Sequence, residues 1–178
     1  MDEATYLAFD RGSEAKHELW DGEVYAMTGA SVAHNLIVMN LSFELTGALR
    51  GSECRALPSD MRVRIPKRGY VYPDLTIVCG PLELEGETDI LLNPRAVIEV
   101  LSPSTADFNR GAKFDGYRSI SIVQEVLFVA QDERQVAHHT RQADGSWVLR
   151  EYRDDDAVPL VSLPRPLPLG AIYYDVDL

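Results

Sequence analysis

The sequence has few basic residues for its length. Its 178 residues include 17 lysines and arginines against 28 aspartates and glutamates, which gives a net charge of −11. Phosphate groups are bound mainly by basic side chains, so this balance argues against broad, non-specific affinity for nucleic acid. Long apolar runs are also missing, and no transmembrane helix is predicted. Residues 1–5 are acidic and lack an apolar signal region, so we expect a cytoplasmic protein.

Cysteine is equally scarce, with two residues in the chain. Two cysteines are too few for a structural zinc site, and no histidine pair is placed to complete one. Cys54 and Cys79 stand far apart in strand-like, apolar surroundings. This pattern predicts two free, buried thiols in a reducing cytoplasm. The length suits a single domain over residues 1–178.

Local patterns predict an α+β protein. Asp21-Gly22 between two alternating segments indicates a β-hairpin, and a second hairpin is expected around residues 143–145. Ser31 is a candidate N-cap for a helix that runs to about Arg50. Two apolar rows predict that this helix lies against a sheet. The rows are Val32, Leu36, Met39 and Phe43, and Ile37, Leu41, Leu45 and Ala48.

Two predicted strands each carry a single carboxylate in an otherwise apolar run. Glu99 lies within residues 96–101, and Asp74 lies near the start of residues 72–79. An ionised carboxylate in a buried strand is costly unless a cation, a metal or several hydrogen bonds compensate it. If the strands are neighbours, the carboxylates meet and repel each other. A hard divalent ion such as Mg²⁺ or Mn²⁺ would offset that repulsion, so the sequence predicts a metal site.

The helix predicted after residue 104 carries Lys113, with Tyr117 one turn later on the same face. Such a metal can polarise a phosphate oxygen and generate hydroxide near neutral pH. Lys113 would stabilise the charge that develops on the phosphorane, or help to deprotonate the attacking water. Tyr117 would orient the lysine or contact a phosphate. Secondary candidates for this site are His34, Asp60 and Ser102.

Each of these residues also has a purely structural interpretation. Glu99 would form a buried ion pair with an arginine, and Asp74 would be an acid at a strand edge. Lys113 would be a surface lysine of its helix. Tyr117 would pack in the core, and His34 would cap a helix or face solvent. Burial and hydrogen-bond partners distinguish the two interpretations.

Basic residues concentrate in residues 50–68, where six of them stand against two acids. A local basic strip on an acidic protein can follow a phosphate backbone. The alternative is a solvated strand face with no ligand. The residues predicted to bind nucleic acid are Arg62, Arg64, Lys67 and Arg68.

Taken together, these motifs resemble the Uma-two family of restriction-endonuclease-like proteins, which belongs to the PD-(D/E)XK nuclease superfamily. The resemblance is carried by residues 16–35, 58–63, 72–74 and 98–105 together with Lys113 and Tyr117. It implies an αβββαβ core, with a mixed central sheet flanked by helices and added N- and C-terminal hairpins. It also implies Asp74 and Glu99 as metal ligands, and a homodimer.

The sequence departs from the superfamily pattern at Leu101, where a lysine usually follows the acid by two residues. Lys113 matches the lysine that the family takes from the following helix. The leading hypothesis is a Mg²⁺-dependent endonuclease acting on DNA. The alternatives are a catalytically weak nucleic-acid-binding or regulatory module and a structural homodimer, both of which keep the fold. The test is whether the carboxylates of Asp74 and Glu99 lie together with the Lys113 ammonium beside them.

Overall fold

A computed structural model describes residues 1–27, 29–86, 89–102 and 109–178. The helical elements in this part of the chain are α1 (Glu3–Arg11), α2 (Val32–Leu49), a π-helical turn (Asn109–Lys113) continued by α3 (Phe114–Ser119), and α4 (Leu169–Ile172). The strands are β1 (His17–Trp20), β2 (Glu23–Ala26), β3 (Cys54–Pro58), β4 (Arg62–Ile65), β5 (Gly69–Val71), β6 (Leu75–Cys79), β7 (Leu84–Glu85), β8 (Ile90–Leu91), β9 (Ala96–Leu101), β10 (Glu125–Ala130), β11 (Gln135–Arg141), β12 (Trp147–Arg153), β13 (Ala157–Val158) and β14 (Leu167–Pro168). None of these helices combines the length and apolar composition needed to cross a membrane.

Twelve of these strands form two six-stranded sheets. The N-terminal sheet has the order β2-β1-β5-β4-β8-β7, and the central sheet has the order β12-β11-β10-β9-β6-β3. Both are mixed, because β4 pairs with β8 and β9 pairs with β10 in parallel. The path through α2, β3, β6, β9, the helical segment ending in α3, and β10 follows the predicted αβββαβ order. The predicted α+β fold is confirmed.

Both predicted hairpins are present. Strands β1 and β2 pair around Asp21-Gly22, where both residues have positive φ angles of 50° and 86°. Glycine adopts such an angle without steric cost, which explains the strength of this signal. Strands β11 and β12 form the second hairpin. Each hairpin ends at one edge of its sheet.

Helix α2 begins as predicted but packs on one side only. The hydroxyl of Ser31 accepts a hydrogen bond from the His34 backbone N–H at 3.0 Å. The prediction that this helix lies against a sheet is confirmed, but the sheet covers only part of the apolar surface; in the first row, Leu36 is half-buried against the core. Val32, Met39 and Phe43 remain 77%, 68% and 76% exposed. The buried row packs against the central sheet and consists of Ile37, Leu41, Leu45 and Leu49.

The prediction of free, buried thiols is wrong. Cys54 on β3 and Cys79 on β6 stand opposite each other in register and form a disulfide. Both residues are partly exposed. Strand pairing across a separation of 25 residues brings them together, and the local apolar pattern does not report such pairing. Cysteine chemistry therefore gives no support to the expected cytoplasmic location.

Candidate functional site

The two predicted carboxylates belong to neighbouring strand segments, since Glu99 lies in β9 and Asp74 directly precedes β6. Strands β6 and β9 are antiparallel, with Leu75 opposite Ile98. Extending this register by one residue places Asp74 opposite Glu99. The Oδ2 atom of Asp74 accepts a hydrogen bond from the Val100 backbone N–H at 2.7 Å. Glu99 is 3% exposed, so the carboxylate is buried as the apolar run predicted.

Lys113 and Tyr117 join Glu99 from the helical segment that follows β9. The Lys113 ammonium lies 3.2 Å from Oε1 of Glu99. The Tyr117 hydroxyl donates a hydrogen bond to the same oxygen at 2.5 Å. Both side chains are buried, so Lys113 is not the surface lysine of the structural interpretation, and Tyr117 has a polar partner in addition to its core packing.

Glu18 is a member of the cluster that sequence analysis missed. It lies on β1 of the N-terminal sheet, and its Oε1 atom is 2.8 Å from the Lys113 ammonium. The same oxygen accepts a hydrogen bond from the Tyr72 backbone N–H at 2.9 Å. Lys113 therefore bridges carboxylates from both sheets. A signal was available, because strand alternation places Glu18 on the same face as Trp20, which is buried.

His34 reaches the cluster from the first turn of α2. Its Nε2 atom lies 3.1 Å from Oδ1 of Asp74. The Ser31 cap fixes this first turn, so the cap also sets the position of the imidazole. The hydrogen bond with Asp74 raises the pKa of His34 above its ordinary value of 6.5. His34 is thus in contact with a predicted ligand rather than facing solvent alone.

The cluster carries more negative than positive charge. Burial raises the pKa of Glu99 to about 7, Lys113 opposes this shift, and Asp74 and Glu18 add to it. Burial alone would lower the pKa of Lys113, but the carboxylates of Glu99 and Glu18 raise it above its ordinary value of 10.5. Lys113 therefore keeps its proton at neutral pH. This favours charge stabilisation over proton abstraction, the two roles that the sequence left open.

The donor set fits a hard divalent cation. Asp74 and Glu99 present carboxylate oxygens from adjacent strands in a cluster with excess negative charge, and such oxygens are the ligands Mg²⁺ prefers. Within residues 1–27, 29–86, 89–102 and 109–178, no group of three or more histidine, cysteine or acidic residues is arranged to hold a metal. The protein would therefore supply two carboxylates. Water and substrate oxygens complete the coordination of Mg²⁺ at sites of this kind.

The other predicted site residues lie apart from these contacts or at their margin. Asp60 is exposed and forms a surface ion pair with Lys16. Ser102 is half-buried directly after β9. Residues 103–105, which carry part of the family motif, lie outside the described residues. Asp60 is thus better explained by its surface pair than by a place among the ligands.

Arg62 does not belong to a nucleic-acid-binding surface. It is 5% exposed, and its guanidinium lies 2.5 Å from Oδ2 of Asp10 and also pairs with Asp89. Its face packs over the Tyr72 ring. The prediction for Arg62 is therefore wrong, because carboxylates distant in sequence neutralise the guanidinium inside the protein.

Arg64 and Arg68 also have carboxylate partners within the chain. Arg64 lies 2.6 Å from Glu85, and Arg68 lies 3.0 Å from Asp21. Lys67 is exposed in the turn between β4 and β5. Much of the charge of the predicted basic strip is therefore compensated by neighbouring acids, and binding of nucleic acid by Arg64, Lys67 and Arg68 stays a prediction.

Comparison with known protein families finds a match over most of the chain. The Uma2 family model, described as "Putative restriction endonuclease", matches residues 3–171. The chain belongs to the Uma2 family. Two relatives from Synechocystis sp., named uncharacterized protein slr1290 and uncharacterized protein sll1609, are 32% and 33% identical over 169 and 156 residues. The matches cover 94% and 86% of this chain and 88% of each relative.

A crystal structure described as "a putative nuclease belonging to DUF820 from Anabaena variabilis" has the same fold. It aligns with a TM-score of 0.73 at 19% identity and covers 90% of this chain and 91% of that one. This likeness confirms the restriction-endonuclease-like architecture. The Uma2 family description supports a nuclease, and with it a nucleic-acid substrate and a divalent metal.

Proposed function

We propose that this Uma2 protein is an endonuclease that hydrolyses phosphodiester bonds of DNA with Mg²⁺ or Mn²⁺. The observation that carries the proposal is the buried contact between Glu99 and Lys113, with Asp74 opposite Glu99 by extension of the strand register. Three carboxylates of the cluster face one ammonium group and one imidazole, so a divalent cation would balance its charge. Strongly perturbed ionisable groups of this kind are typical of functional sites.

Asp74 and Glu99 would hold the metal. When bound, the cation supplies a Lewis acid for the phosphate oxygen and lowers the pKa of a bound water. Lys113 contributes a permanent positive charge, because its raised pKa keeps it protonated. That charge stabilises the negative charge that develops on the phosphoryl oxygens. The Tyr117 hydroxyl fixes the orientation of the Glu99 carboxylate.

Two further residues set the positions of these groups. Glu18 accepts a hydrogen bond from the Lys113 ammonium at 2.8 Å in addition to the one that Glu99 accepts at 3.2 Å, and two such contacts limit the movement of the ammonium. His34 contacts Oδ1 of Asp74, while the Val100 backbone N–H occupies Oδ2. Both residues act through the groups that would touch the metal or the substrate, so we assign them positioning roles.

Plasmid nicking with Mg²⁺ and with Mn²⁺ tests the proposal. Glu99→Ala should reduce metal-dependent cutting by about 100-fold or more, the scale of losses at preorganised charged sites. Asp60→Ala, purified identically, is the matched control and should cut at the wild-type rate because Asp60 lies outside the cluster. Equal cutting by wild type and Glu99→Ala would identify a contaminant and contradict the proposal.

The alternative function is a nucleic-acid-binding module that keeps the fold without catalysis. The buried Lys113–Glu99 contact leaves room for a role without catalysis, because an ion pair of this kind can be structural. This alternative predicts no cutting, equal DNA binding by wild type and Glu99→Ala, and a melting temperature that Mg²⁺ does not change.

We further propose, in agreement with the family resemblance, that the protein acts as a homodimer.

A further inference from the structure

A further pair of buried ionisable side chains lies outside the candidate site. Glu125 on β10 is fully buried, and His138 on β11 is 2% exposed. The Nε2 atom of His138 lies 2.9 Å from Oε1 of Glu125. The Val161 backbone N–H donates to both oxygens of the same carboxylate, at 3.0 and 3.1 Å. Protein donors therefore occupy the Glu125 carboxylate, and of this pair only the imidazole is open to a ligand.

This pair is on the opposite face of the central sheet from Glu99. The parallel register of β9 and β10 places Phe128 directly opposite Glu99. Side chains alternate between the two faces of a strand, so Glu125 points away from the face that carries Phe128. His138 is paired with Leu127, which packs in the same core cluster as the buried row of α2. The pair therefore takes no part in the proposed nuclease chemistry.

His138 forms part of the wall of a surface cleft of about 370 Å³. Sites for small molecules begin at roughly 300 Å³, so this cleft is large enough for a small organic ligand. Polar and apolar side chains share its lining, among them Thr140, Arg150, Val148, Tyr152 and Val161. A mixed lining of this kind can hold a ligand that has one charged and one apolar part.

One ring nitrogen of His138 is available to this cleft. An ionised carboxylate only accepts hydrogen bonds, so Nε2, which faces Glu125, carries a proton. The other nitrogen, Nδ1, has no hydrogen-bond partner in the part of the chain that the structure describes. It is also not among the fully buried polar atoms of that part that lack a partner, so it keeps access to the cleft. There it can accept a hydrogen bond or, when protonated, donate one.

The charges at the wall of the cleft are positive. Arg150 stands directly opposite His138 in the register of β11 and β12, so the two side chains share one face with their Cβ atoms about 5 Å apart. Arg150 is exposed and forms no ion pair with an acid of the described residues. Arg141 also lines the cleft and donates to three backbone oxygens, which carry no net charge. Since the described lining includes no acid, the two guanidinium groups attract an anion.

We propose that this cleft binds the phosphate group of a small organic phosphate monoester. A dianionic phosphate would balance the charges of Arg141 and Arg150. Its oxygens would accept hydrogen bonds from the Arg150 guanidinium, the Thr140 hydroxyl and the protonated Nδ1 of His138. Glu125 would hold the imidazole in place and balance its charge, and the apolar part of the wall would cover the organic group.

Other occupants fit this cleft less well. A metal cation would be repelled by the two guanidinium groups. A nucleic-acid backbone is followed by a row of basic residues, whereas the cleft is a single concave site. The structural alternative is that Glu125 and His138 fasten the chain at Val161 to the sheet and bind no ligand. That alternative accounts for the hydrogen bonds of Glu125, but not for two arginines without acids at the cleft wall.

Isothermal titration calorimetry with phenyl phosphate and with inorganic phosphate tests the proposal. The titrations contain no divalent metal, so the excess negative charge of the candidate nuclease site keeps phosphate away from it. The wild type should bind both compounds, and phenyl phosphate more tightly because its ring reaches the apolar wall. Arg150→Gln should weaken the binding of both by about 10- to 100-fold, the scale of a hydrogen bond between charged groups.

Arg134→Gln is the matched control. Arg134 is a second exposed arginine and is not among the described residues that line the cleft, so this variant should bind both compounds as the wild type does. Arg134 and Arg150 are both exposed, so neither substitution should change thermal unfolding. A loss of binding in Arg150→Gln alone then reports the cleft and not the net charge of the protein.

The imidazole of His138 gives a readout that a purely structural role would not move. Its ring signals in nuclear magnetic resonance spectra, assigned by comparison with His138→Gln, should shift when phenyl phosphate is added to the wild type. They should stay in place in Arg150→Gln at the same concentration of phenyl phosphate. This measurement leaves the buried pair intact, so it does not depend on whether His138→Gln is stable.

Three results would overturn the proposal. The first is a wild type that binds neither compound at millimolar concentrations. The second is binding that Arg150→Gln leaves unchanged or that does not move the His138 signals, because such binding lies elsewhere. The third is phenyl phosphate that binds no more tightly than inorganic phosphate, because the apolar wall would then not belong to the site. None of these experiments uses DNA, so they remain interpretable if the nuclease proposal fails.

Discussion

Two of the clusters of ionisable side chains that reach into the protein's interior differ in charge balance. In the first, which we call the ion cluster, Arg62 lies between the carboxylates of Asp10 and Asp89. Arg11 adds a second guanidinium at 2.8 Å from Asp89, and the Tyr72 hydroxyl donates to Asp10 at 2.7 Å. Two carboxylates are thus matched by two guanidinium groups, and the His17 imidazole lies 3.2 Å from Oδ1 of Asp10, so acidic groups are not in excess in the ion cluster.

The second cluster, which we call the site cluster, contains more carboxylates than basic groups. Glu18, Asp74 and Glu99 face Lys113 and His34, and burial with neighbouring acids raises the pKa of Glu99 to about 7. A balanced set of buried charges supports folding, whereas an unbalanced one costs stability unless it binds a proton or a cation. Charge balance, more than burial, therefore separates the structural cluster from the candidate site.

Arg62→Met should produce the largest loss of stability. It leaves Asp10 as a buried carboxylate without its cation, and breaking a buried pair in this way costs about 3–5 kcal/mol. Urea denaturation followed by circular dichroism measures the free energy of unfolding. Arg64→Met is the control, because its ion pairs are partly exposed and contribute less than ~1 kcal/mol. Equal losses in both variants would contradict a structural role for the ion cluster.

The ion cluster should also contribute to the pH dependence of the free energy of unfolding at acidic pH. Burial alone would raise the pKa of Asp10, but hydrogen bonds from Tyr72 and Arg62 lower it below 3.8. A carboxyl group with a lower pKa in the folded state stabilises that state above pH 3.8, and this contribution is lost as the pH falls through the folded pKa.

Asp10→Asn should therefore lose about 2 kcal/mol near neutral pH, the scale of hydrogen bonds to charged groups. Its stability should fall less steeply than that of the wild type below about pH 4. Urea unfolding across a pH series measures both effects. Asp60→Asn, at an exposed position, should follow the wild type at every pH. Parallel curves for Asp10→Asn and wild type would show that Asp10 has an ordinary pKa in the folded protein.

Local patterns predicted both hairpins, α2, the strands next to Asp74 and around Glu99, and much of the site cluster. Glu99 was recognisable because one acid interrupts an apolar strand, and Asp74 because the same pattern occurs one strand earlier. Lys113 and Tyr117 were placed on one helix face by their spacing of four residues. Signals of this kind depend on neighbours in sequence, which a single chain displays directly.

The errors all concern partners that are distant in sequence. Arg62 forms an ion pair with Asp10, which lies 52 residues away in the sequence, and Cys54 forms a disulfide with Cys79, which lies 25 residues away. Glu18 lies in the other sheet and reaches Lys113 across 95 residues. The assignment of strands to two sheets decides these contacts, and hydrophobic periodicity does not encode it. For the same reason the pattern of α2 predicted two apolar rows but not which of them the sheet would cover.

Of the variants predicted to lose stability or activity, Glu18→Gln should change the free energy of unfolding least. It therefore allows a direct comparison of the two clusters. The amide keeps an oxygen that accepts from the Tyr72 N–H and from Lys113. It also removes one of the excess negative charges, so we expect the free energy of unfolding to change by less than ~1 kcal/mol. The corresponding acid-to-amide change at Asp10 is expected to lower it by ~2 kcal/mol. Metal-dependent cutting should nevertheless fall by roughly 10- to 100-fold, because Lys113 loses the charge that positions it.

Urea unfolding and plasmid nicking on the same preparation separate the effect on stability from the effect on cutting. Glu18→Asp should recover part of the cutting because it restores the negative charge. Its shorter side chain still carries a carboxylate toward Lys113, whereas a purely structural role would leave Gln, which is closer in size, as the better substitute. If Glu18→Gln destabilises the protein as much as Asp10→Asn does, then Glu18 belongs to a second balanced network. The excess negative charge would then no longer distinguish the candidate site from the ion cluster.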